Sequence, residues 1–487
     1  MRLLPAVMVA LFLALALCPP LPAVTLSGLP RRFSLSADEA QYDLSQQQAR
    51  AQGHALLIYD DVTLRADALD ANLESGQVTA VGGVTVVQGP RRLTADRAEY
   101  NVKRQAGTLL RATAGVGPAL FRGERLVVSP RQFSVYSASF TTCPLPHPDY
   151  EVRARSITLY PGDRVVARHA AIYFYGHRLL SLPTLSQNLN PDREAPGILP
   201  RAGYSRLDGP FAGLAYGFAP GGPQTTGIIN VRYTTRRGLR GWLRTSYLPS
   251  WGRISLTASR KEDLNERPIT SIVEPLPTTV QRVTVDRLPE LALHRKTGNL
   301  MPWLTGQAWV TAGRYRELPT GVSANRLSLV ADLETEPWQV SPRLGLTAGF
   351  GVRQSYYSGR DQQRLVAPRV GLRYDGGKRF SLALSYQHRS TTGSTPFLFD
   401  EIQIRREITG NLVALPHPLW RVEVGTRFDT ANGELRDAEV TLFRTVHCLE
   451  YSVGWRKERS ELRVGLGLAA GTLEAIQAAA AQETPAL

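Results

Sequence analysis

The chain has 487 residues, 57 Lys or Arg against 42 Asp or Glu, a formal net charge of +15, and only three Cys. Hydrophobic residues at 43% supply a core and argue against disorder, and three Cys do not build a disulfide-rich scaffold. Beyond the N-terminus no window holds the ~18 consecutive apolar residues of a membrane-spanning helix.

Met1-Arg2 opens an apolar run from Leu3 to Leu17, closed by Pro19, Pro20 and Pro22. The run is too short for an anchor, so residues 1–23 read as a secretory signal peptide with cleavage at Ala23. Cys18 hints at lipidation, but Leu17 before it is not the small residue that lipidation requires. Export places the mature chain in an oxidising compartment. Cys143 and Cys448 then remain, either as a disulfide tying its start to its end, which we expect, or as two separate buried thiols.

Ala37-Asp38, Ala66-Asp67 and Ala95-Asp96 recur every 29 residues, and Tyr42, Ala71 and Tyr100 keep the same register. A fixed period of this size marks stacked units. Apolar residues alternate within each unit, as strands do, with turns expected at 43–45, 74–76 and 105–107. The expectation over 31–190 is an elongated folded β-sheet with an apolar inner face and open edges. Tyr42, Leu57, Leu69, Val84, Val86 and Tyr100 would line that face, which forms either a plain solenoid core or a trough for a lipid tail.

From about Pro196 short strands alternate strictly, as in Ile229, Val231 and Tyr233 or Leu449, Tyr451, Val453 and Trp455. A soluble sandwich alternates too. Strands of the length a tilted membrane strand needs, Arg and Glu in mid-strand, and aromatics near strand ends (Tyr247, Trp251, Trp303, Trp420) favour a transmembrane antiparallel barrel over 196–470, with about 16 strands. Lys261 to Pro289 reads as a large loop, and 471–487 as a flexible tail. Residues 24–195 hold 19 basic and 16 acidic side chains, against 37 and 26 in 196–487, so the positive excess belongs mainly to the barrel. A cationic lumen or rim attracts phosphorylated lipid or polysaccharide; nucleic acid is not expected behind a signal peptide.

No metalloprotease helix motif, nucleophile elbow or phosphate-binding loop occurs, so neither catalysis, cofactor nor metal is expected. His388 and Ser390 share the lipid-facing parity of Leu384 and Tyr386, where a hydrolytic dyad has no oriented base. His447 beside Cys448 does not make a metal-ligand set.

Phe140-Thr141-Thr142-Cys143-Pro144, Pro148-Asp149-Tyr150, Leu182-Pro183-Thr184-Leu185-Ser186, Gly197-Ile198-Leu199-Pro200 and His447-Cys448-Leu449-Glu450-Tyr451 resemble the LptD family of outer-membrane lipopolysaccharide-assembly proteins. The resemblance implies an all-β chain: a periplasmic β-jelly-roll of the LptA kind, then an outer-membrane barrel. It implies lipopolysaccharide received from an LptA-like periplasmic bridge protein, passed along the trough, and released through a lateral gate between first and last strands. Pro183 and Pro200 are the gate candidates; Pro200 donates no ladder hydrogen bond, which weakens pairing there. Further implied partners are an LptE-like lipoprotein plug and the barrel-assembly machinery. The barrel region is shorter than is common in that family, and a narrower lumen leaves less room for a plug. The competing functional readings are a diffusion pore with a periplasmic domain and a soluble adhesion or scaffold protein.

Overall fold

The computed structural model describes residues 33–468 apart from 44, 89–90, 117–118, 131, 144, 161–162, 189–197, 222–223, 268, 270–276, 280–281 and 378. The expected signal peptide and tail lie outside the described residues.

Twelve strands form one antiparallel sheet. Phe33–Ser36 and Glu39–Asp43 pair along the two halves of Gln48–Tyr59. The chain then meanders from neighbour to neighbour through Val62–Asn72, Gln77–Gln88, Arg91–Asn101, Ala106–Val116, Ala119–Ser129, Gln132–Thr141, Tyr150–Tyr160 and Arg164–Phe174 to His177–Asn188. The register slips at mid-strand, between Gln52 and Ala55, Arg65 and Ala68, and Val81 and Val84. Such bulges bend a strand, and glycine accepts the left-handed backbone they need. Gly53 and Gly82 have φ of 73° and 80°.

The 29-residue repeat is the chemistry of that bend. Asp38 accepts from His54 Nδ1 at 2.8 Å beside Gly53, and Asp67 packs against Gly82 so closely that a Cβ there would overlap its carboxylate. Asp96 pairs with Arg111 at the equivalent place. Gly82→Ala therefore meets both a left-handed backbone and a blocked site, and is expected to cost about 2 kcal/mol. Hydrogen exchange at Val78–Val84 in the full-length protein measures this; an unchanged rate would refute it. The third expected turn falls slightly earlier, since the next strand already begins at Ala106.

The two halves of the bent strands close over one apolar cluster that includes Leu57, Leu64, Val84, Tyr100, Leu126 and Leu159. Alternation supplies it directly: the buried side chains of Val62–Asn72 are Val62, Leu64, Ala66, Leu69 and Ala71.

The second sheet is a closed antiparallel barrel. Its strands are Ile198–Ser205, Gly209–Phe218, Thr225–Thr234, Gly238–Tyr247, Arg253–Asp263, Thr284–Met301, Leu304–Glu317, Ser323–Thr335, Leu344–Tyr357, Gln362–Asp375, Phe380–His388, Arg406–His417, Trp420–Asp429, Glu434–Val446, Leu449–Arg456 and Glu461–Leu468. Trp338–Ser341 prolongs the eighth, and Ser390–Gly393 the eleventh, so the barrel has 16 strands as expected from the sequence. It is inside-out compared with a soluble fold. Tyr451, Val453 and Trp455 point outward and stay exposed, while Glu450 and Arg456 point inward and are buried. An apolar belt around a charged interior suits a bilayer and not water, which removes the soluble reading.

Turns at the near end, where the chain arrives from the first sheet, are short, as at 302–303 and 418–419. The far end carries two long connections, 264–283 and 394–405. The stretch expected to be a loop from Lys261 to Pro289 is shorter, because strands reach Asp263 and resume at Thr284. A lumen-facing Arg287, paired with Glu262 and Glu290, anchors that early restart.

Candidate functional site

The first sheet meets the barrel at two places. Cys143, just after Gln132–Thr141, forms a disulfide with Cys448 in the turn before the fifteenth barrel strand, with Cα atoms 5.2 Å apart. Around it Tyr150, Leu449, Phe140, Phe174 and Leu466 make a small apolar cluster, so the sheet packs against the last barrel strand itself. Asp149 is buried there, with Oδ2 3.2 Å from His447 Nδ1 and 3.6 Å from Cys448 Sγ. Cys143, Asp149 and Cys448 place three potential ligand atoms within 4.8 Å of one another, but both sulfurs are taken up by the disulfide.

Tyr150 locks the Cys143 turn. Its hydroxyl accepts from the Thr142 amide at 3.1 Å and bonds the Thr142 hydroxyl, and its carbonyl accepts from Thr141 Oγ1 at 2.7 Å. Burial pushes the Tyr150 phenol up to about 12, opposed by the Thr142 hydrogen bonds. An acid whose pKa rises on folding contributes stability that is complete below its unfolded value, near 10, and is lost as pH climbs through the folded value. The junction should therefore loosen between pH 10 and about 12 by roughly 3 kcal/mol. Tyr150→Phe should remove that step; tyrosine fluorescence and exchange at Thr142 over this range report it, and a step that persists in the variant refutes the assignment.

The second meeting place lies on the other side of the barrel closure. Thr184, on His177–Asn188, accepts from Tyr216 Oη through its carbonyl and from the Ala219 amide through Oγ1 at 3.2 Å. Arg168 Nη2 donates to the Gly221 carbonyl at 3.3 Å. The end of the sheet thus grips the second barrel strand on one side and the last two on the other.

Between those grips runs the seam where Ile198–Ser205 pairs with Glu461–Leu468. It has five residue pairs, Arg201–Gly465 to Ser205–Glu461, whereas the last two strands share eight. Ile198, Leu199 and Pro200 pair with the second strand but not across the seam. Among the described residues the near half of the seam therefore shows no ladder, beside the disulfide.

The far end is closed from within. Connection 394–405 reaches across to the seventh to ninth strands: Glu317 accepts from the Leu398 and Phe399 amides at 3.1 and 3.0 Å, and Asp400 binds Arg326 and Arg353. Described residues of connection 264–283 touch the opposite wall, where the carbonyls of Pro277 and Arg267 accept from Arg427 and Arg456. The two meet at Thr278, whose carbonyl accepts from the Ile404 amide and whose hydroxyl donates to the Glu401 carbonyl.

The structure sorts the sequence candidates. Leu57, Leu69, Val84, Val86 and Tyr100 lie on the buried inner face, packed against one another. Tyr42 shares their side of the sheet, opposite Ala49, but stays 52% exposed because its strand ends the stack and no described layer covers it. Pro200 is on the first seam strand, just outside the paired stretch. Pro183 is not on the seam: it sits on His177–Asn188, the last strand of the first sheet, whose outer edge makes no ladder among the described residues. Sequence reasoning missed Asp149, Asp400 and the guanidinium–carboxylate network at the far end of the seam. Asp149 carried only its place beside Tyr150 in the family-like motif, and Asp400, Asp208 and Arg459 sit in turns or connections where a charge looks like any surface charge.

Comparison with known proteins bears on the first sheet. LPS-assembly protein LptD of Azoarcus sp. (strain BH72) is 26% identical over 213 residues, covering 39% of this chain and 25% of that protein. LPS-assembly protein LptD of Pseudoalteromonas atlantica is 28% identical over 196 residues, covering 39% and 26%. The family model "LptA/(LptD N-terminal domain) LPS transport protein" matches residues 63–133, inside the repeat. The chain is thus similar to LptD proteins, most specifically in its N-terminal sheet. Its match spans about a quarter of the length of these relatives. An apolar-belted barrel joined to an LptD-type N-terminal domain places the chain at the outer membrane with that domain on the periplasmic side, so the near end of the barrel is called periplasmic and the far end external. Among solved structures, LptH of Pseudomonas aeruginosa, described as the LptA-homologous periplasmic component of the lipopolysaccharide transport device, has a TM-score of 0.19 at 20% identity, covering 20% of this chain and 76% of its own.

Proposed function

We propose that this chain receives lipopolysaccharide, or a related glycolipid, from an LptA-like bridge protein and releases it into the outer leaflet through the seam between its first and last barrel strands. The observation that carries this reading is the straddled seam: the end of the apolar sheet holds the second strand on one side and the last two strands on the other, beside the stretch without a ladder. Acyl chains leaving the inner face at Tyr150–Asn188 reach hydrocarbon there without crossing the charged lumen, where each buried CH₂ would forfeit ~0.8 kcal/mol. The glycan takes the polar side. The bridge protein adds a strand to the exposed edge at Phe33–Asp43, covering Tyr42.

The inner face is packed in this state, so lipid enters by parting the two halves from the open edge. The barrel-assembly machinery inserts the barrel, and the two long connections occupy the space an LptE-like plug would fill. A transport role without catalysis needs an outside energy source.

Depletion of the protein should trap lipopolysaccharide in the periplasm; unchanged surface lipopolysaccharide refutes the reading. Photocrosslinkers at Leu57, Val84 and Tyr100 should capture the lipid, and those at the outward Ile58, Thr85 and Asn101 should not. Equal capture at both sets would remove the trough. The diffusion-pore reading is disfavoured by the two connections across the lumen, and steady conductance of the purified wild type would revive it.

A further inference from the structure

The seam is held differently at its two ends. Among the described residues its periplasmic half shows no ladder and its external half has five pairs, so whatever sits at the external end bears on whether it closes. What sits there is Arg459, in the turn between the last two strands, 1% exposed. It crosses the seam to three carboxylates. Nη2 lies 3.1 Å from Asp208, in the turn after the first strand; Nη1 lies 2.9 Å from Asp263; and Nη2 lies 3.0 Å from Glu266. Arg232 crosses the other way, 3.1 Å from Glu461, and the Arg206 amide donates to the Ser460 carbonyl at 3.3 Å.

We propose that Arg459, with Asp208, Asp263 and Glu266, is an ionic latch that holds the external end of the seam shut and must part for it to open. The proposal rests on the lateral-release reading above and adds the group that controls it.

A static buried network and a latch differ in what separation leaves behind. Removing one partner of a buried pair strands a charge, which is prohibitive. Here each side keeps counter-charges of its own. On the first-strand side Asp208, Asp263 and Glu266 retain Arg232, Arg237, Arg240 and Arg282. On the last-strand side Arg459 retains Glu461 at 2.7 Å, Arg463 retains Glu439, and Arg456 retains Asp437 at 2.7 Å. Parting loses the cross-seam pairs without leaving either half with bare charge. The disulfide at the opposite end makes the periplasmic side the hinge.

The test is hydrogen exchange of full-length protein in lipid nanodiscs. Arg459→Gln should speed exchange at Ala202–Tyr204 and Leu462–Val464 by at least tenfold, and leave the ladder between the second and third strands within twofold. Asp208→Asn, which removes a single cross-seam charge at constant size, should give a smaller change confined to the same amides, and serves if the first variant does not fold. Unchanged seam exchange, or acceleration spread evenly around the barrel, overturns the latch. Ala202→Cys with Val464→Cys, paired across the seam, separates the two ideas. If the crosslinked seam still delivers lipid while Arg459→Gln accelerates exchange, the latch stands as a seam lock and the lateral-release reading falls.

Discussion

Asp400→Asn is expected to convert a closed barrel into a conducting one. Asp400 is buried inside the barrel at the tip of connection 394–405, and it makes the charged part of that connection's hold on the wall. Its two oxygens take Arg326 Nε and Nη2 at 2.7 and 2.9 Å, Arg353 Nη1 at 3.0 Å and the Tyr357 hydroxyl at 2.8 Å. Neutralising it leaves two guanidiniums in a confined space with no counter-charge, and breaking a buried pair from one side costs about 3–5 kcal/mol. That is comparable to the whole of what the connection recovers from the Phe397, Phe399 and Tyr315 aromatic contacts, about 1.5–4.5 kcal/mol for the three together, so the margin that holds it inward is lost. The connection should swing out, and planar-bilayer recordings should change from silence to stable steps. Glu317→Gln weakens the grip on the Leu398 and Phe399 amides and should give intermediate, flickering conductance. Silence in both variants would show that the connections do not seal the lumen.

The second large effect is expected at the junction. Cys143→Ser or Cys448→Ser removes a crosslink spanning 305 positions, which restricts the unfolded chain by about 5 kcal/mol in the chain-entropy model. The functional consequence is greater than the loss of stability. The cluster around Tyr150 and Leu466 is small, and without the covalent tie this side of the seam keeps that cluster and the Asp149–His447 contact, against the Thr184 and Arg168 contacts on the other side. Either variant should lose the compact, faster-moving form on non-reducing gels and deliver little or no lipid to the surface. A mobility difference between reduced and oxidised samples that survives in either variant would disprove the pairing in the cell.

The sequence made the repetitive parts of this fold legible. Every 29 residues the bend needs an aspartate and, fifteen positions on, a residue that accepts a left-handed backbone, so Asp38, Asp67 and Asp96 mark the layers. Membrane strands must alternate, so their number could be read from the pattern alone. The closure of the barrel was not legible. Connection 394–405 and the described ends of 264–283 carry no periodicity to betray their inward contacts, and Arg459 meets Asp208 across 251 positions. The same limit explains Pro183 and Tyr42. A proline that weakens a ladder looks the same on a seam as on a free edge, and an inner-face tyrosine looks the same in mid-stack as at its end.

The bent, one-after-another order of the first sheet also makes it a ruler. Each layer touches only the layers beside it, and each 29-residue unit adds two strands at about 4.8 Å apiece. Duplicating or deleting one unit between Val62 and Val116 would change the sheet's reach from the membrane by roughly 10 Å, while the Cys143 junction and the seam kept their geometry. A lineage that needs to bridge a wider or narrower periplasm can therefore do so by whole repeats, without touching the machinery at the barrel.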